Sequence, residues 1–408
     1  MRSAKRIKKD RRKLVKGDTQ MKYDFDKITD RRGTNSLKYD FAAERGKPED
    51  ILPLWVADMD FPVAYEITQS LERVVRHGIY GYSEAKDSYF QAVASWMEKQ
   101  HDWKVEKDWL VKTPGVVYGI AAAIRAFTRE GDSILIQNPV YYPFSEVIRD
   151  NDRVLVDNTL VEKDGKYTMD FEDMEQKIRE NHVKLFILCN PHNPVGRVWT
   201  REELQKVGEL CLQYGVLVVS DEIHHDFVYP GYRHQVFAAL DPRFQKITVT
   251  CTAPSKTFNL AGLQVSNIFI ADKKLRSLFR KEIDRTGYSQ LNTFGLVACE
   301  SAYRDGEEWL TQLKQYLGGN LELVRKFVAE RLPGVRLVEP EGTYLVWLDL
   351  RALGLTEREL DRAVVEKAGL WLDGGGMFGA CGEGFQRINI ACPRSVLEEA
   401  LERLTKIL

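Results

Sequence analysis

Short, unbroken apolar runs separated by helical patterns constrain this chain more than any other feature. Ser133-Ile134-Leu135-Ile136, Lys184-Leu185-Phe186-Ile187-Leu188-Cys189, Val216-Leu217-Val218-Val219-Ser220, Ile247-Thr248-Val249 and Val265-Ser266-Asn267-Ile268-Phe269-Ile270 are such runs, and a helical pattern from about Arg201 to Gln213 separates two of them. A strand that is apolar on both faces has to be covered on both faces. The alternation therefore predicts an α/β fold, a parallel or mixed sheet between helical layers. In such sheets ligands collect at the carboxyl ends of the strands.

The residues just past those ends are rich in chemistry. Asn138-Pro139-Val140-Tyr141-Tyr142 follows one strand, Asn190-Pro191-His192-Asn193-Pro194-Val195-Gly196 a second, Asp221-Glu222-Ile223-His224-His225 a third, and Ser255-Lys256-Thr257 a fourth. A lysine at a crowded strand end is an odd choice for packing. With a lowered pKa it becomes an amine nucleophile able to form a Schiff base with an aldehyde cofactor. Singly, each residue has a plainer reading: Lys256 a surface charge, Asp221 a helix cap, Tyr141 a core aromatic. Jointly, an aromatic plate, an amide, a carboxylate and an amine are what a pyridoxal 5'-phosphate site requires. The lysine meets the aldehyde, the carboxylate keeps the pyridine nitrogen protonated, the aromatic covers the ring face and the amide donates to the phenolic oxygen. Lys256, Asp221, Tyr141 and Asn193 fit those roles in turn. Thr113-Pro114-Gly115-Val116-Val117 opens a helix running to about Arg129, and a helix start can hold a phosphate.

With 408 residues the chain exceeds one ordinary core, which predicts two domains. Residues 21–70 form an N-terminal segment expected to contribute to a small domain, 71–302 a large domain, and 303–408 the rest of the small one. The segment Leu52 to Pro62 is too apolar for a linker and is expected to wrap onto the body, bringing Val56 to Met59 near something functional. A helix with Ile67, Leu71, Val74 and Val75 on one face follows it. After about Ala302 the pattern becomes α+β: a long amphipathic stretch from Glu307 to Arg331, the strand-like stretch Gly342 to Leu350, a helix from Glu357 to Ala368, the strand Phe385 to Ile390 and a closing helix from Ser395.

Residues 1–20 carry nine basic and two acidic side chains, a net +7 against −8 for the rest. A nucleic-acid or anionic-membrane arm is one reading of that tail. A disordered basic extension before Met21 is the favoured one, because no aromatic or groove-entering motif accompanies the charge. No apolar run approaches the ~20 residues needed to cross a bilayer, and no apolar core follows the basic start as in a secretory signal. Six scattered cysteines, without metal-ligand spacing, read as buried thiols in a reducing compartment, hence a cytoplasmic protein. His224 and His225 raise the question of a metal with Asp221 and Glu222. Adjacent histidines point different ways and no spaced ligand set accompanies them, so no metal is expected.

The order Asn-Pro-x-Asn-Pro-x-Gly, Asp-Glu-Ile-His, Ser-Lys-Thr-Phe and a late Arg-x-Asn resembles the fold type I pyridoxal phosphate enzymes of the aspartate aminotransferase superfamily. More narrowly, Trp55-Val56-Ala57-Asp58-Met59-Asp60-Phe61, Tyr80-Gly81-Tyr82-Ser83, Asp221-Glu222-Ile223-His224 and Ala391-Cys392-Pro393-Arg394 resemble the MalY/PatB group of cystathionine β-lyases, or cysteine-S-conjugate β-lyases. The resemblance spans Met21 to the C-terminus. It implies a large domain around a mostly parallel seven-stranded sheet and a smaller α+β domain from the two terminal segments. It also implies a homodimer with a shared active site; the composition read above adds the expectation of no membrane or nucleic-acid partner. Lys256 is then the Schiff-base lysine and the acid/base at Cα, Asp221 the partner of the pyridine nitrogen, Asn193 the donor to the phenolic oxygen and Tyr141 the ring stacked on the cofactor. Val116 and Val117 offer backbone N–H groups to the phosphate, Ser255 a hydroxyl, and Tyr82 reaches it from the neighbouring subunit. Arg387 clamps the substrate α-carboxylate, beside Tyr141 and Ala57. A buried arginine requires an anion, and an internal carboxylate would serve as well.

Two positions depart from the aminotransferase pattern and resemble the lyase group: His224 stands where many have a tyrosine, and Gln264 where many have an arginine on the phosphate. The implied reaction is α,β-elimination from cystathionine or another cysteine S-conjugate, giving a thiol, pyruvate and ammonia. Transamination is the alternative, and a regulatory binding protein of the MalY kind is a third reading.

Overall fold

The computed structural model describes residues 22–408; the basic segment 1–20, and what was read from it, lies outside them. Seven strands, β1 (Leu110–Thr113), β2 (Ser133–Ile136), β3 (Val154–Asp157), β4 (Leu185–Cys189), β5 (Leu217–Asp221), β6 (Thr248–Thr252) and β7 (Ser266–Phe269), form one sheet in the order β1-β7-β6-β5-β4-β2-β3. From β6 to β3 neighbours run parallel, and β7 lies antiparallel between β6 and β1. The sheet is mixed and mostly parallel, as the apolar runs require.

Both faces are covered. Leu185 and Ile187 of β4 join a core with Ile120, Ile124 and Phe144, whereas Phe186 and Leu188 join one with Met174, Leu204 and Val207. Burying each such side chain contributes about 1.5–3 kcal/mol. That two-sided gain is why a chain with these runs forms central strands rather than a one-faced sheet.

A second, antiparallel sheet holds β8 (Arg336–Val338), β9 (Leu345–Asp349), β10 (Asp373–Gly374) and β11 (Phe385–Asn389) in the order β8-β9-β11-β10. The helix Glu307–Arg331 covers this part of the chain, with Trp309, Leu313, Leu317, Leu321, Val324 and Val328 all buried. The N-terminal segment packs here too: the Phe25 ring meets Phe61 at 5.1 Å and Trp309 at 6.0 Å, both edge-on.

Three helices matter below: α1 (Tyr65–His77), α2 (Asp87–His101) and α3 (Val116–Phe127). The expected apolar face of α1 is corrected. Ile67 and Ser70 are its buried residues, while Val75 is exposed and Leu71 and Val74 only half-buried. The Ser70 hydroxyl donates to that of Ser301 on the helix Thr293–Asp305 at 3.0 Å, and two small residues let the two helices approach along that line, turning Val75 outward.

Candidate active site

Strand β6 ends at Thr252, and Pro254 sits at the start of a single helical turn, α4 (Pro254–Thr257), which presents Lys256. Lys256 Nζ donates to the carbonyl of Ala57 at 2.9 Å, and the Tyr344 hydroxyl donates to the same oxygen at 2.8 Å. The segment around Trp55 to Phe61 therefore does reach the lysine.

Two asparagines fix that segment. Asn259, held at a φ of 56°, accepts from Met59 N–H at 2.9 Å and donates to the carbonyls of Met59 and Phe61 at 3.0 and 2.9 Å. Asn389 donates to the carbonyls of Val56 and Asp58, both at 2.7 Å. One lies three residues past Lys256 and the other two past Arg387, so lysine, arginine and the intervening segment form one assembly. Lys38, wholly buried, anchors the same stretch through Asp60 at 2.7 Å.

Lys256 faces a cavity of about 150 Å³ whose wall includes Tyr141, Asn193, Asp221, His224 and Ser255. Pro114 to Val117 at the start of α3, with Ala57 and Gln264, also line it. Val116 and Val117 are the first residues of α3, where backbone N–H groups lack an intrahelical acceptor. A larger cavity of about 570 Å³, between Phe227, Tyr229 and Lys314, contains none of these residues.

Arg387 is buried on β11. Its Nη1 donates to Asn193 Oδ1 at 3.0 Å, Nη2 donates to the Trp55 carbonyl at 2.9 Å and to Asp373, and its Nε is buried without a partner among the described residues. The internal anion is thus Asp373, a residue the sequence reading missed. Its only signal was an acidic residue, Trp371-Leu372-Asp373-Gly374, in an otherwise apolar stretch.

The charges are tuned by burial. It pushes the Lys256 ammonium down to about 8, with Arg387 acting in the same direction and Asp58 and Asp221 opposing. Asp221 is driven up to about 7, against the N–H of Ile223, which donates to Oδ1 at 3.1 Å. His224 is held neutral by burial and by the Lys256 and Arg387 cations, and its Nδ1 has no partner among the described residues. Burial likewise raises the Tyr141 phenol.

The structure thus brings together Lys256, Asp221, Asn193, Tyr141, His224, Ser255, Ala57, Val116 and Val117, with Arg387 joined through Asn193. Tyr82 stands apart, fully exposed on the loop before α2. The two histidines do diverge: His224 lines the cavity, whereas the His225 ring lies 4.3 Å from that of His101.

These donors fit an anionic aldehyde cofactor. A helix start offers N–H groups to a phosphate, a lysine of lowered pKa offers an amine, Asp221 offers a carboxylate to a ring nitrogen, and His224 Nδ1 and Arg387 Nε are buried polar atoms still wanting partners. Residues 57–404 match the family model for aminotransferase class I and II. The chain is 45% identical to cystathionine beta-lyase PatB of Bacillus subtilis over 93% of its own length and 98% of that protein. Cystalysin of Treponema denticola, solved with pyridoxal 5'-phosphate, superposes with a TM-score of 0.92 at 39% identity, covering 95% of this chain and 99% of that one. The pyridoxal-phosphate-bound C-S lyase of Staphylococcus hominis superposes with a TM-score of 0.89 at 31% identity, covering 96% and 100%. Site, fold and sequence agree, and the chain belongs to the aminotransferase class I and II family.

Proposed function

We propose that this protein is a pyridoxal-phosphate-dependent carbon–sulfur lyase that cleaves cystathionine or a related cysteine S-conjugate by α,β-elimination. The observation that carries the reading is the 45% identity to a cystathionine beta-lyase over nearly the whole of both chains, with a lysine of lowered pKa in the cavity. When bound, the cofactor supplies an aldehyde that captures the substrate amine and a ring that delocalises the charge left at Cα.

The chain's residues do the rest. Arg387 binds the substrate α-carboxylate, with Asn193, the Trp55 carbonyl and Asp373 holding its guanidinium in place. Asp221 keeps the ring nitrogen cationic, and that cation in turn keeps its carboxylate charged despite burial. Asn193, whose amide oxygen is taken by Arg387, has its N–H₂ left for the phenolic oxygen, and His224 lies on the same wall. Tyr141 packs on the ring face. The N–H groups of Val116 and Val117 and the Ser255 hydroxyl hold the phosphate. Lys256 Nζ, which holds the cofactor at rest, is freed as a neutral amine when the substrate amine takes its place and then removes the Cα proton, after which the thiolate leaves from Cβ. Hydrolysis of the released enamine gives pyruvate and ammonia.

We further propose a homodimer in the cytoplasm. The full exposure of Tyr82 supports a contact with the partner's phosphate, and the burial of five of the six unpaired thiols supports a reducing compartment. Among the described residues no helix is long and apolar enough to cross a membrane. Transamination is the second reading, favoured by the family model itself. Purified protein given L-cystathionine without a keto acid tests both. Pyruvate and free thiol in equal amounts mean lyase; turnover only when a keto acid is added means aminotransferase.

A further inference from the structure

We propose that His101, His225 and Asp226 form a binding site for a divalent transition-metal ion, separate from the cavity that contains Lys256. One ligand-capable atom from each residue lies within 4.8 Å of the others. His101 ends α2 and the other two follow β5, so the set spans 125 residues of sequence.

His225 carries the argument. Its imidazole is fully buried, and among the described residues neither ring nitrogen has a well-aligned hydrogen-bond partner. Nε2 lies 3.0 Å from Asp226 Oδ2 but outside hydrogen-bonding geometry. The imidazole is thus held to Asp226 only by a poorly aligned ion pair, and a divalent ion in place of the shared proton would match both groups. Opposite it, His101 Nε2 lies 2.9 Å from Asp226 Oδ1. Tetrahedral zinc, with bonds of about 2.0–2.2 Å, places its ligand atoms roughly 3.3 Å apart. The two contacts to Asp226 need to open by a few tenths of an ångström, and the two imidazole nitrogens, within 4.8 Å of each other, need to settle at the same spacing.

The surroundings fit a metal carboxylate. Asp226 also accepts from Trp96 Nε1 at 3.1 Å and Thr257 Oγ1 at 2.5 Å, two donors outside the ligand set that fix its plane, as outer groups do around metal-bound carboxylates. His234 is committed elsewhere, its Nε2 on Glu222 at 2.9 Å. Two imidazoles and one carboxylate suit zinc, cobalt, nickel or ferrous ions and leave a fourth position for water. Because Thr257 follows Lys256, a bound ion braces the turn that carries the lysine. The site thus couples metal occupancy to the geometry of the reactive amine.

The test uses the full-length holoenzyme, stripped with a chelator and titrated with zinc alone against a chromophoric zinc indicator. The expected result is one zinc per chain in the wild type, with affinity at least ten-fold lower in His101→Gln and in His225→Gln and unchanged in His182→Gln, an exposed control. No zinc retained by the wild type, or equal retention by all four proteins, overturns the proposal. Should the two site variants fail to fold, X-ray absorption on the zinc-loaded wild type decides: two imidazoles and a carboxylate oxygen support the assignment, and a sulfur-containing shell refutes it.

Discussion

Replacing Asp373 by asparagine separates the internal anion of Arg387 from its shape. Both side chains of the pair are about 3% exposed. Removing one partner of such a pair leaves an uncompensated buried charge, typically destabilising by about 3–5 kcal/mol. Arg387 keeps the Asn193 amide oxygen and the Trp55 carbonyl, so the lower end, about 3 kcal/mol, applies here. With an unfolding entropy of about 2.1 cal/mol/K per residue, a chain this long has a slope near 0.9 kcal/mol/K, and the melting temperature should fall by about 4 °C. A carboxylate supplied from solution then fills the vacated charge. Calorimetry with and without glycine, an amino acid that has no leaving group at Cβ, should show the ligand raising the melting temperature of Asp373→Asn by more than it raises that of the wild type. A fall under about 1 °C with no differential rescue would refute the view that Arg387 is an anion clamp held by Asp373.

Asn259→Ala removes three hydrogen bonds to Met59 and Phe61 and should cost about 2–4 kcal/mol, read as a lower melting temperature. Because the same segment holds Ala57 against Lys256, pyruvate production should fall more in kcat than in KM. In cofactor-free protein the two titrations oppose each other. Asp221, raised to about 7, contributes stability that is complete below the ordinary carboxylate range and lost as pH climbs through 7. Lys256, depressed to about 8, contributes stability present above its ordinary value of 10.5 and lost as pH falls through 8. Urea titrations of the wild type and Asp221→Asn at several pH values should show the wild type losing stability relative to the variant between about pH 4 and 7; a pH-independent difference contradicts the assigned shift.

The fold was legible where burial was symmetric. Strands β2, β4, β5, β6 and β7 were read from runs that are apolar on both faces, although β6 begins one residue late and extends to Thr252. The two strands that went unread are the edges of the sheet. Leu-Val-Lys-Thr of β1 and Val-Leu-Val-Asp of β3 have partners on one side only, and they carry polar or exposed residues that blur the pattern. The catalytic inventory was legible because strand ends concentrate it. What holds the inventory in place was not: Asn259, Asn389 and Asp373 act through backbone carbonyls and a buried ion pair spanning up to 333 residues, and sequence neighbours carry no trace of such contacts. For the same reason His225 gave no sign of His101.

The central claim is that Lys256 Nζ is the atom that holds the cofactor. Borohydride reduction of the holoenzyme followed by peptide mass mapping addresses it directly. The account predicts a pyridoxyl group on Lys256 and, in Lys256→Ala, no labelled peptide and turnover reduced by at least about 10²-fold. A label on another lysine, or an unlabelled wild type that still eliminates thiol from cystathionine, would contradict it.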